Sequence, residues 1–430
     1  MLELIDGRAQ AAPIHVPRPR PVPQGPDPLE AVRAIVDDVR ARGDEALVEH
    51  TRALDAPGFD ATRIRVGPQE IAQARRRVRP ELLEALEVLA ARLEDTCRRA
   101  RPQAWIEERV GELVGQLVRP LRSAGIYAPG GRAAYPSSVL MAAVPARVAG
   151  VERLALATPP DRAGEVSDAI LAACALADID EVYRLGGAQA IAALAYGSES
   201  VRPVDKIVGP GNLYVTLAKR LVAGWVGVDS EAGPTEIAIV ADGSAEARVV
   251  AADLIAQAEH GPLGSHVLIT WDEGLVGRVI EALDEMVPLH ERADDVESAL
   301  TEGGRAVLVR DLDHALETAN AFAPEHLELV FPGALDALDR VTNAGAVFVG
   351  AFSAVPAGDY VAGTNHILPS GGTARFASGL GVDDFVKKVY VCGLERAALE
   401  RLAPHIDALS EAEGLHAHAR AVRLRLGEAG

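Results

Sequence analysis

The sequence predicts an α/β protein with two doubly wound parallel sheets. Its 430 residues are too many for one ordinary hydrophobic core, so at least two domains are expected. Hydrophobic residues make up 49% of the chain and charged residues only 24%, which allows large buried layers. Apolar strand-like runs alternate with helical patterns, and glycine-rich turns join several of these strands to helices. This alternation is typical of parallel sheets that are covered by helices.

The order of these patterns divides the chain into five segments. Residues 1–28 contain seven prolines and are expected to form an extended N-terminal arm. Residues 29–124 begin with amphipathic helices and end in a strand, whereas residues 125–236 consist of strand–loop–helix units. Residues 237–381 show a second α/β pattern, and residues 382–430 form a charged, mainly helical C-terminal tail. The cores are therefore expected in the third and fourth segments.

The charge of the chain argues against nucleic acids and membrane surfaces as partners. The formal net charge is −19, which repels phosphate backbones and anionic lipids. Only 4% of the residues are aromatic, which weighs against binding by stacking on bases. The basic run from Arg75 to Arg79 is followed by Glu81, Glu84 and Glu87, a pattern typical of a solvated helix face.

The cysteines and the N-terminal region indicate a reducing compartment. Cys97, Cys174 and Cys392 are far apart and odd in number, so neither a disulfide framework nor a CxxC redox pair is expected. The proline-rich N-terminus lacks an apolar core of the signal-peptide kind, and charged residues interrupt the longest apolar stretch. We therefore expect a cytoplasmic protein without a transmembrane span.

Residues 209–212 (Gly-Pro-Gly-Asn) form a candidate anion-binding turn between a strand and a helix. The turn does not match GxGxxG, because Tyr214 occupies the sixth position. Backbone N–H groups at the start of a helix still favour anions, so both nucleotide contact and simple turn geometry fit the pattern. Tyr127 and Gln189 lie in similar loops and add polar and aromatic groups at the same expected sheet edge.

Two pairs of polar residues lie at expected helix ends. Gln257 and His260 are spaced i,i+3 and share one helix face, although a histidine at this place also fits a helix cap. Glu325 and His326 lie between a helix and a strand. The near-neutral pKa of histidine and a buried carboxyl group can divide acid and base roles, although an exposed corner also fits this pair.

Residues 358–369 (GDYVAGTNHILP) concentrate functional side chains in one short segment. Gly358 and Gly363 are expected to exclude a regular helix and to let the backbone turn sharply. Asp359 and His366 are then free to point into one cavity. The segment is therefore expected to be a polar loop of the functional site.

The tail holds a further group of polar residues, which are Glu413, His416 and His418. They fit a surface helix as well as a binding role. Glutamine, histidine and aspartate together form an N/O ligand set suited to zinc or a similar divalent ion, with no thiolate required. Sequence spacing alone does not bring these residues together.

Several separated blocks resemble the histidinol dehydrogenase family and occur in the order found there. The resemblance runs from about residue 125 to residue 418 and is weaker in the N-terminal helices. The blocks are Gly125-Ile-Tyr-Ala-Pro-Gly-Gly, Gly187-Ala-Gln-Ala, Val208-Gly-Pro-Gly-Asn, Ala232-Gly-Pro-Thr-Glu, Gln257-Ala-Glu-His, Phe322-Ala-Pro-Glu-His-Leu, Gly358-Asp-Tyr…Gly363-Thr-Asn-His and Glu413-Gly-Leu…His418.

This resemblance implies a homodimeric, zinc-dependent, NAD-linked enzyme of histidine biosynthesis with two incomplete Rossmann-like domains. Such an enzyme oxidises L-histidinol through L-histidinal to L-histidine and passes two hydrides to two NAD⁺. Residues 125–236 would form the NAD-binding domain. Residues 29–124 and 237–381 would form a discontinuous metal and catalytic domain.

The resemblance also implies roles for individual residues. The implied zinc ligands are Gln257, His260, Asp359 and His418. The implied acid/base residues are Glu325 and His326. The implied NAD contacts are Tyr127, Gln189 and Asn212. The implied substrate contacts are Thr235, His326, His366 and Glu413, together with the zinc ligands Gln257, His260, Asp359 and His418.

In the implied mechanism, His326 takes the alcohol proton as a hydride leaves, and Glu325 helps to activate water on the aldehyde. Zinc orients the substrate through its imidazole and amino nitrogens. The tail of the family crosses to the partner subunit, so that Glu413 and His418 complete the neighbouring site. The alignment of blocks favours His418 over His416 as the metal ligand.

One departure and two alternatives accompany this interpretation. Thr235 stands where many family members carry serine; the hydroxyl survives, and its methyl group tightens the pocket. A paralogue that oxidises another primary alcohol, such as a dihydroxypropane sulfonate, would need a cationic group, whereas Glu413 favours an amino-imidazole substrate. A catalytically silent metal-binding or assembly protein would not need Glu325 and His326, yet both are present.

Overall fold

The computed structural model describes residues 1–19, 27–130, 134–230 and 233–428. The chain forms two compact units. The first contains Met1–Ala100 and Arg122–Phe385, and the second contains Arg101–Leu121 and Val386–Gly430. No helix in the described part of the chain is both long and apolar enough to cross a membrane.

The first unit contains a five-stranded parallel sheet in its N-terminal half, which we call the first sheet. Its strands are β4 (Ser123–Tyr127), β5 (Arg153–Thr158), β6 (Glu181–Arg184), β7 (Lys206–Val208) and β8 (Gly227–Val228). The spatial order is β6-β5-β4-β7-β8, with every pair parallel. The direction of winding reverses between β4 and β7, so this position is the topological switch point of the sheet.

Helices cover both faces of the first sheet. They are α1 (Pro28–Arg42), α2 (Asp44–Leu54), α3 (Pro68–Arg77), α4 (Pro80–Arg99), α5 (Pro136–Ala149), α6 (Asp168–Leu176), α7 (Gly187–Tyr196) and α8 (Leu213–Val222). α7 and α8 pack against α1 and α2, whereas α5 and α6 pack against α3 and α4. Proline at the first helical position begins α1, α3, α4 and α5, where its missing N–H costs no hydrogen bond.

The second sheet of this unit has six parallel strands. They are β1 (Glu3–Asp6), β9 (Glu236–Ala241), β10 (Ser265–Thr270), β11 (Gly304–Leu308), β12 (His326–Val330) and β13 (Ala346–Val349). Their order is β1-β11-β10-β9-β12-β13, and the winding reverses between β9 and β12. β9 and β10 are buried along their whole length, as expected of strands covered on both faces.

The helices of the second half are α9 (Ala247–Ala258), α10 (Glu273–Met286), α11 (Ala293–Gly303), α12 (Leu312–Phe322) and α13 (Val355–Tyr360). α9, α10 and α11 share one hydrophobic core with the sheet. α12 packs into another core, together with Ile14 and Val16 of the N-terminal segment. Aspartates cap two of these helices, since Asp272 accepts from the Leu275 N–H and Asp311 from the His314 N–H.

The second unit contains an antiparallel sheet and two helices. The strands β2 (Trp105–Arg109), β3 (Glu112–Pro120) and β14 (Val386–Leu394) pair in the order β14-β3-β2. The helices α14 (Arg396–Ala412) and α15 (His416–Leu426) pack against each other. The expected helical tail therefore contains a short 3-10 turn, Val382–Phe385, and a nine-residue strand before its helices.

The structure groups the segments differently from the sequence-based expectation. The helices of residues 29–100 pack mainly on the helices and strands of the first sheet, and α4 also lies close to Gly363. Residues 101–121 belong to the second unit. The expected N-terminal arm contributes strand β1 to the second sheet, while residues 20–26 of that arm lie outside the described residues. The apolar face of a helix or strand predicts that it is buried against another element. Its sequence does not identify which sheet that element belongs to.

Candidate active site

The expected acid and base residues, Glu325 and His326, lie at the amino end of β12, beside the amino end of the neighbouring strand β9 of the second sheet. His326 is the first residue of β12 and Glu236 is the first of β9. The two strands pair in parallel, with His326 opposite Ile237. Glu325 and Thr235, which directly precede the strands, therefore meet across 90 residues of sequence.

His326 is held in one tautomer and keeps one ring nitrogen free. Its side chain is buried, and Nδ1 lies 3.1 Å from the backbone carbonyl oxygen of Glu236. A carbonyl oxygen only accepts, so Nδ1 carries the hydrogen and Nε2 of the neutral ring is an acceptor. Nε2 is buried without a hydrogen-bond partner among the described residues, since Asp359 Oδ1 is 3.6 Å away. Burial disfavours the imidazolium, but Glu325 and Asp359 outweigh it and raise the pKa of His326 to about 9, so the ring is largely protonated at neutral pH and becomes the neutral base with an accepting Nε2 as the pH rises towards 9.

Glu325 is a buried carboxyl group with one oxygen firmly placed. Oε2 accepts hydrogen bonds from Thr235 Oγ1 at 2.7 Å and from the backbone N–H of Glu236 at 2.9 Å. The same oxygen lies 3.8 Å from His326 Nδ1. Burial raises the pKa of Glu325, against the opposing effects of His326 and of these hydrogen bonds. A raised pKa brings a carboxyl group closer to neutral pH, where it can both accept and donate a proton.

Gln257 and His260 lie at the C-terminal end of α9, at the same sheet edge. The helix ends at Ala258, and the exposure of the two side chains differs, because Gln257 is buried and His260 is exposed. Gln257 Nε2 donates to Thr235 Oγ1, which donates in turn to Glu325. The amide oxygen of Gln257 therefore stays available to a metal ion, and its orientation is coupled to that of the catalytic carboxyl group.

Residues 358–369 begin as a helix, contrary to the expectation that their glycines exclude one. Gly358 and Asp359 lie in α13. A Cβ atom at Gly358 would lie 2.5 Å from a phenylalanine ring, so this glycine permits close packing and not a turn. The turn comes at Gly363, where φ is +94°. It brings His366 Nδ1 to 2.9 Å from the backbone carbonyl oxygen of Asp359.

His366 connects this segment to the helical layer of the first sheet. Its Nδ1 donates to a carbonyl oxygen, so Nε2 accepts from the hydroxyl group of Ser138 on α5 at 3.0 Å. Next to it, Asn365 Nδ2 donates to the backbone carbonyl of Met141 at 2.7 Å. Burial lowers the pKa of His366, which favours the neutral ring.

A buried carboxyl pair behind the site joins three of its elements. Glu328 lies two residues after His326 on β12 and is within hydrogen-bonding reach of Asp253 on α9. Glu328 Oε1 also accepts from the backbone N–H of Val355, the first residue of α13, at 3.3 Å. Burial, and then the adjacent Asp253, raise the pKa of Glu328 to about 8, so this carboxyl group is largely protonated at neutral pH. Glu328 thereby links β12 to α13 through its hydrogen bond and lies beside Asp253 of α9.

The tail residues of the candidate site belong to the second unit. Glu413 directly follows α14, and His416 and His418 lie in the first turn of α15, all three with exposed side chains. Among the residues that the structure describes, no group of three or more His, Cys, Asp or Glu side chains is arranged to hold a metal ion. The expected site residues before α14, including the expected cofactor contacts described next, thus all belong to the first unit.

The expected NAD contacts lie at the carboxyl edge of the first sheet. Tyr127 ends β4, and its phenol oxygen accepts from the backbone N–H of Gly187 at 3.1 Å. Burial, above all, raises the pKa of Tyr127 to about 12, so the phenol stays protonated. Gln189 in the first turn of α7 is 1% exposed, and neither polar atom of its side chain has a partner within the described ranges.

The turn before α8 is held by a buried ion pair. Asn212 caps the helix, since its Oδ1 accepts from two backbone N–H groups of the first turn at 3.0 and 3.2 Å. Gly209 donates its N–H to Asp229 Oδ2 at 2.7 Å, and its carbonyl accepts from Lys219 Nζ. Lys219 also pairs with Asp229, and both side chains are buried. This turn is therefore fixed from the protein side.

Four of these groups were not expected from the sequence. They are Ser138, the backbone carbonyl of Glu236, Lys219 and Asp229. Lys219 offered a signal, because a lysine on the apolar side of a helix requires a partner when it is buried. The serine and the carbonyl group offered none, since their contacts depend on how the strands are ordered.

Comparison with known proteins identifies the family. The histidinol dehydrogenase family profile matches residues 20–426. Histidinol dehydrogenase from Moorella thermoacetica is 49% identical over 395 residues, which cover 92% of this chain and 93% of the relative. The Methanothermobacter thermautotrophicus enzyme is 46% identical, with coverages of 93% and 94%. The crystal structure of histidinol dehydrogenase from Elizabethkingia anophelis aligns with a TM-score of 0.90 at 37% identity, over 95% of this chain and 94% of that chain. The expected α/β fold class is confirmed, and the chain belongs to the histidinol dehydrogenase family of NAD-linked oxidoreductases.

Proposed function

We propose that this protein oxidises L-histidinol through L-histidinal to L-histidine in histidine biosynthesis, with two NAD⁺ as hydride acceptors. The observation that carries the proposal is the buried His326–Glu325 pair in a chain of this family. A base with a free nitrogen and a carboxyl group of raised pKa, side by side, suit the oxidation of an alcohol followed by that of an aldehyde.

His326 is the base for the first step. Its Nδ1–H is fixed on the carbonyl of Glu236, so Nε2 can accept the hydroxyl proton of the alcohol as the hydride leaves the carbon. The imidazolium formed in this way is stabilised by the nearby carboxylates of Glu325 and Asp359. Its proton can pass to water before the second step begins.

Glu325 serves the second step. The aldehyde must add water, and a carboxylate near the pocket can take the proton of that water as oxygen attacks the carbonyl carbon. The hydrate then loses its hydride to the second NAD⁺, while His326 Nε2 accepts the hydroxyl proton and the carboxylate product forms. Thr235 and the Glu236 N–H hold Glu325 Oε2, which leaves the other oxygen for this proton transfer.

Gln257, His260 and Asp359, completed by His418, would hold a zinc ion. The donors fit, because the Gln257 amide nitrogen is already engaged by Thr235 and the set is of the N/O type that zinc accepts. α9 and α12 also end at this sheet edge, and helix C-termini carry partial negative charge that favours a cation. Bound zinc would orient the imidazole and amino nitrogens of the substrate.

Tyr127, Gln189 and Asn212 would contact NAD⁺ at the carboxyl edge of the first sheet. α7 and α8 begin at this edge, and their N-terminal N–H groups favour the pyrophosphate. Thr235, His366 and Glu413 would contact the substrate beside the zinc ligands. The partner subunit of a homodimer would supply Glu413 and His418 to each site.

The exposed side chains of the second unit support a homodimer. Trp105, Ile106, Val110, Tyr390 and Leu409 are large apolar side chains, and each is at least 46% exposed. Exposed apolar clusters of this kind are typical of protein interfaces. Because the cysteine pattern indicates a reducing compartment, we propose that the dimer is cytoplasmic. Because the net charge is acidic, we propose no nucleic acid or membrane partner.

The test is NADH formation from L-histidinol, with and without a metal chelator. Two NADH per histidinol are expected, with loss of activity on chelation and recovery on addition of zinc. Activity only on sulfonated diols would indicate the paralogue. No NADH from either alcohol would overturn the proposal in favour of a non-catalytic role.

A further inference from the structure

Asp55 is a half-buried residue at the proposed nucleotide edge, and the proposed chemistry does not use its carboxyl group. It follows α2, and a Cβ atom added at Gly186 would lie 3.1 Å from its Oδ2, so the carboxyl group lies against the turn between β6 and α7. Oδ2 is buried and has no hydrogen-bond partner in the part of the chain that the structure describes. Burial raises the pKa of Asp55 to about 6. A hydrogen bond that a ligand donates to this carboxylate would offset the free-energy cost of its unpaired buried oxygen.

Other buried polar groups around the same turn also have no hydrogen-bond partner among the described residues. Both polar side-chain atoms of Gln189, the second residue after Gly187, are buried and unpartnered within the described residues. Tyr127 lies close enough for Asp55 to contribute to its raised pKa, and its phenol oxygen is already placed by the Gly187 N–H. A carboxyl group, an amide and a phenol around one glycine turn suit a ligand with several hydroxyl groups.

The strand order indicates which half of the dinucleotide would lie here. The first-sheet layer contacts the proposed catalytic elements at α5, which follows β4, where Ser138 Oγ lies 3.0 Å from His366 Nε2. The nicotinamide must reach the substrate beside His326, so it belongs on the β4 and β7 side. The adenosine half then extends towards the carboxyl ends of β5 and β6, where Asp55 lies.

We propose that Asp55 accepts a hydrogen bond from the 2′-hydroxyl group of the adenosine ribose and thereby selects NAD⁺ over NADP⁺. In NADP⁺ a phosphate replaces this hydroxyl group, which removes the donor and places negative charge against the carboxylate. The inference rests on the proposed use of NAD⁺ at this edge. It adds a specificity-determining residue that does not touch the reacting atoms.

The test compares the wild type with Asp55→Asn and Asp55→Ser in steady-state assays with NAD⁺, NADP⁺ and NAD⁺ that lacks the adenosine 2′-hydroxyl group. For the wild type, we expect kcat/KM to be about tenfold lower with the deoxy cofactor than with NAD⁺. For Asp55→Asn, kcat/KM with NAD⁺ should fall by a similar factor through KM, with no further loss for the deoxy cofactor. The preference for NAD⁺ over NADP⁺ should fall by about 100-fold, because both the lost hydrogen bond and the removed repulsion contribute.

A matched control is Asp38→Asn on α1, a partly buried aspartate that pairs with Arg42 and His50. It should leave every cofactor ratio unchanged. Equal use of NAD⁺ and the deoxy cofactor by the wild type would overturn the inference, even if Asp55 variants failed to fold. So would an Asp55→Asn enzyme with the wild-type preference. Calorimetric titration with NAD⁺ separates the two proposals, since Asp55-dependent binding without histidinol oxidation would sink only the proposed function.

Discussion

The two functional edges of the first unit have opposite polarity. The proposed nucleotide contacts lie at the carboxyl ends of the first sheet, where helices α7 and α8 begin. The proposed catalytic residues lie at the amino end of the second sheet, where helices α9 and α12 end. Helix N-termini favour anions and helix C-termini favour cations. One edge therefore suits a pyrophosphate, and the other suits a metal ion or an imidazolium.

The two edges also differ in how far their polar groups are already paired. Around His326 and Glu325, one atom of each side chain is fixed by Glu236 or Thr235, and the other is left for the reaction. Around Gln189 and Asp55, buried polar atoms have no partner among the described residues. The turn before Asn212 is fixed by protein contacts in the same way as the His326–Glu325 pair, so the contrast lies between these two places and the turn between β6 and α7. The predictions below test this contrast.

The largest expected effect comes from His326→Gln. Glutamine can still donate to the Glu236 carbonyl but cannot accept the alcohol proton at neutral pH, so kcat should fall about 1,000-fold. Zinc content and the KM for NAD⁺ should stay unchanged, because neither is proposed to depend on His326. The measurements are NADH formation and metal analysis.

The control for this variant is His314→Gln. His314 is a buried histidine in the first turn of α12, at the opposite end of that helix from Glu325. Its Nε2 donates to the backbone carbonyl of Ala12. It should keep the wild-type kcat. Loss of zinc from His326→Gln would show that the metal ligands are wrongly assigned.

The next effect concerns the nucleotide edge. Lys219→Met should lower the free energy of unfolding by about 3–5 kcal/mol, because Asp229 is left buried without its counter-charge. The KM for NAD⁺ should rise about tenfold, since Gly209 loses a bond that fixes the turn before Asn212. Denaturant unfolding and cofactor titration measure the two changes.

The double variant Lys219→Met with Asp229→Leu separates these effects. Removal of both charges should restore much of the stability, whereas the KM should stay high because Gly209 then lacks both side-chain contacts. A double variant with wild-type affinity for NAD⁺ would contradict a role of this turn in nucleotide binding.

The smallest effect is a pH dependence of stability in the metal-free protein. The folded state raises the pKa of His326 from 6.5 to about 9. Its contribution to stability is therefore complete below pH 6.5 and is lost as the pH rises through about 9, by at most about 3 kcal/mol. Thermal or denaturant unfolding of the wild type should weaken over this range more than that of His326→Gln. Parallel pH profiles would show that Glu325 and Asp359 do not stabilise the imidazolium.

The sequence predicted local structure better than the grouping of its elements. The amphipathic helices expected in residues 29–124 include Pro68–Arg77 and Pro80–Arg99, because an initial proline and periodic apolar residues determine them locally. The position of Glu325 and His326 before a strand was also expected. Their location at the amino edge was not, since it depends on the pairing of β12 with β9. The helix that contains Gly358 was missed because packing, and not a turn, requires that glycine.

The bridge from Asp253 through Glu328 to the N–H of Val355 has a consequence for the life of the enzyme in the cell. Glu328 Oε1 accepts from the Val355 N–H, and Asp253 lies beside Glu328, so the three segments that supply Gln257, His326 and Asp359 meet here without a metal ion. A chain newly released from the ribosome can therefore assemble its pocket first and acquire its metal afterwards. Metal supply would then limit how many molecules are active, but not how many are folded.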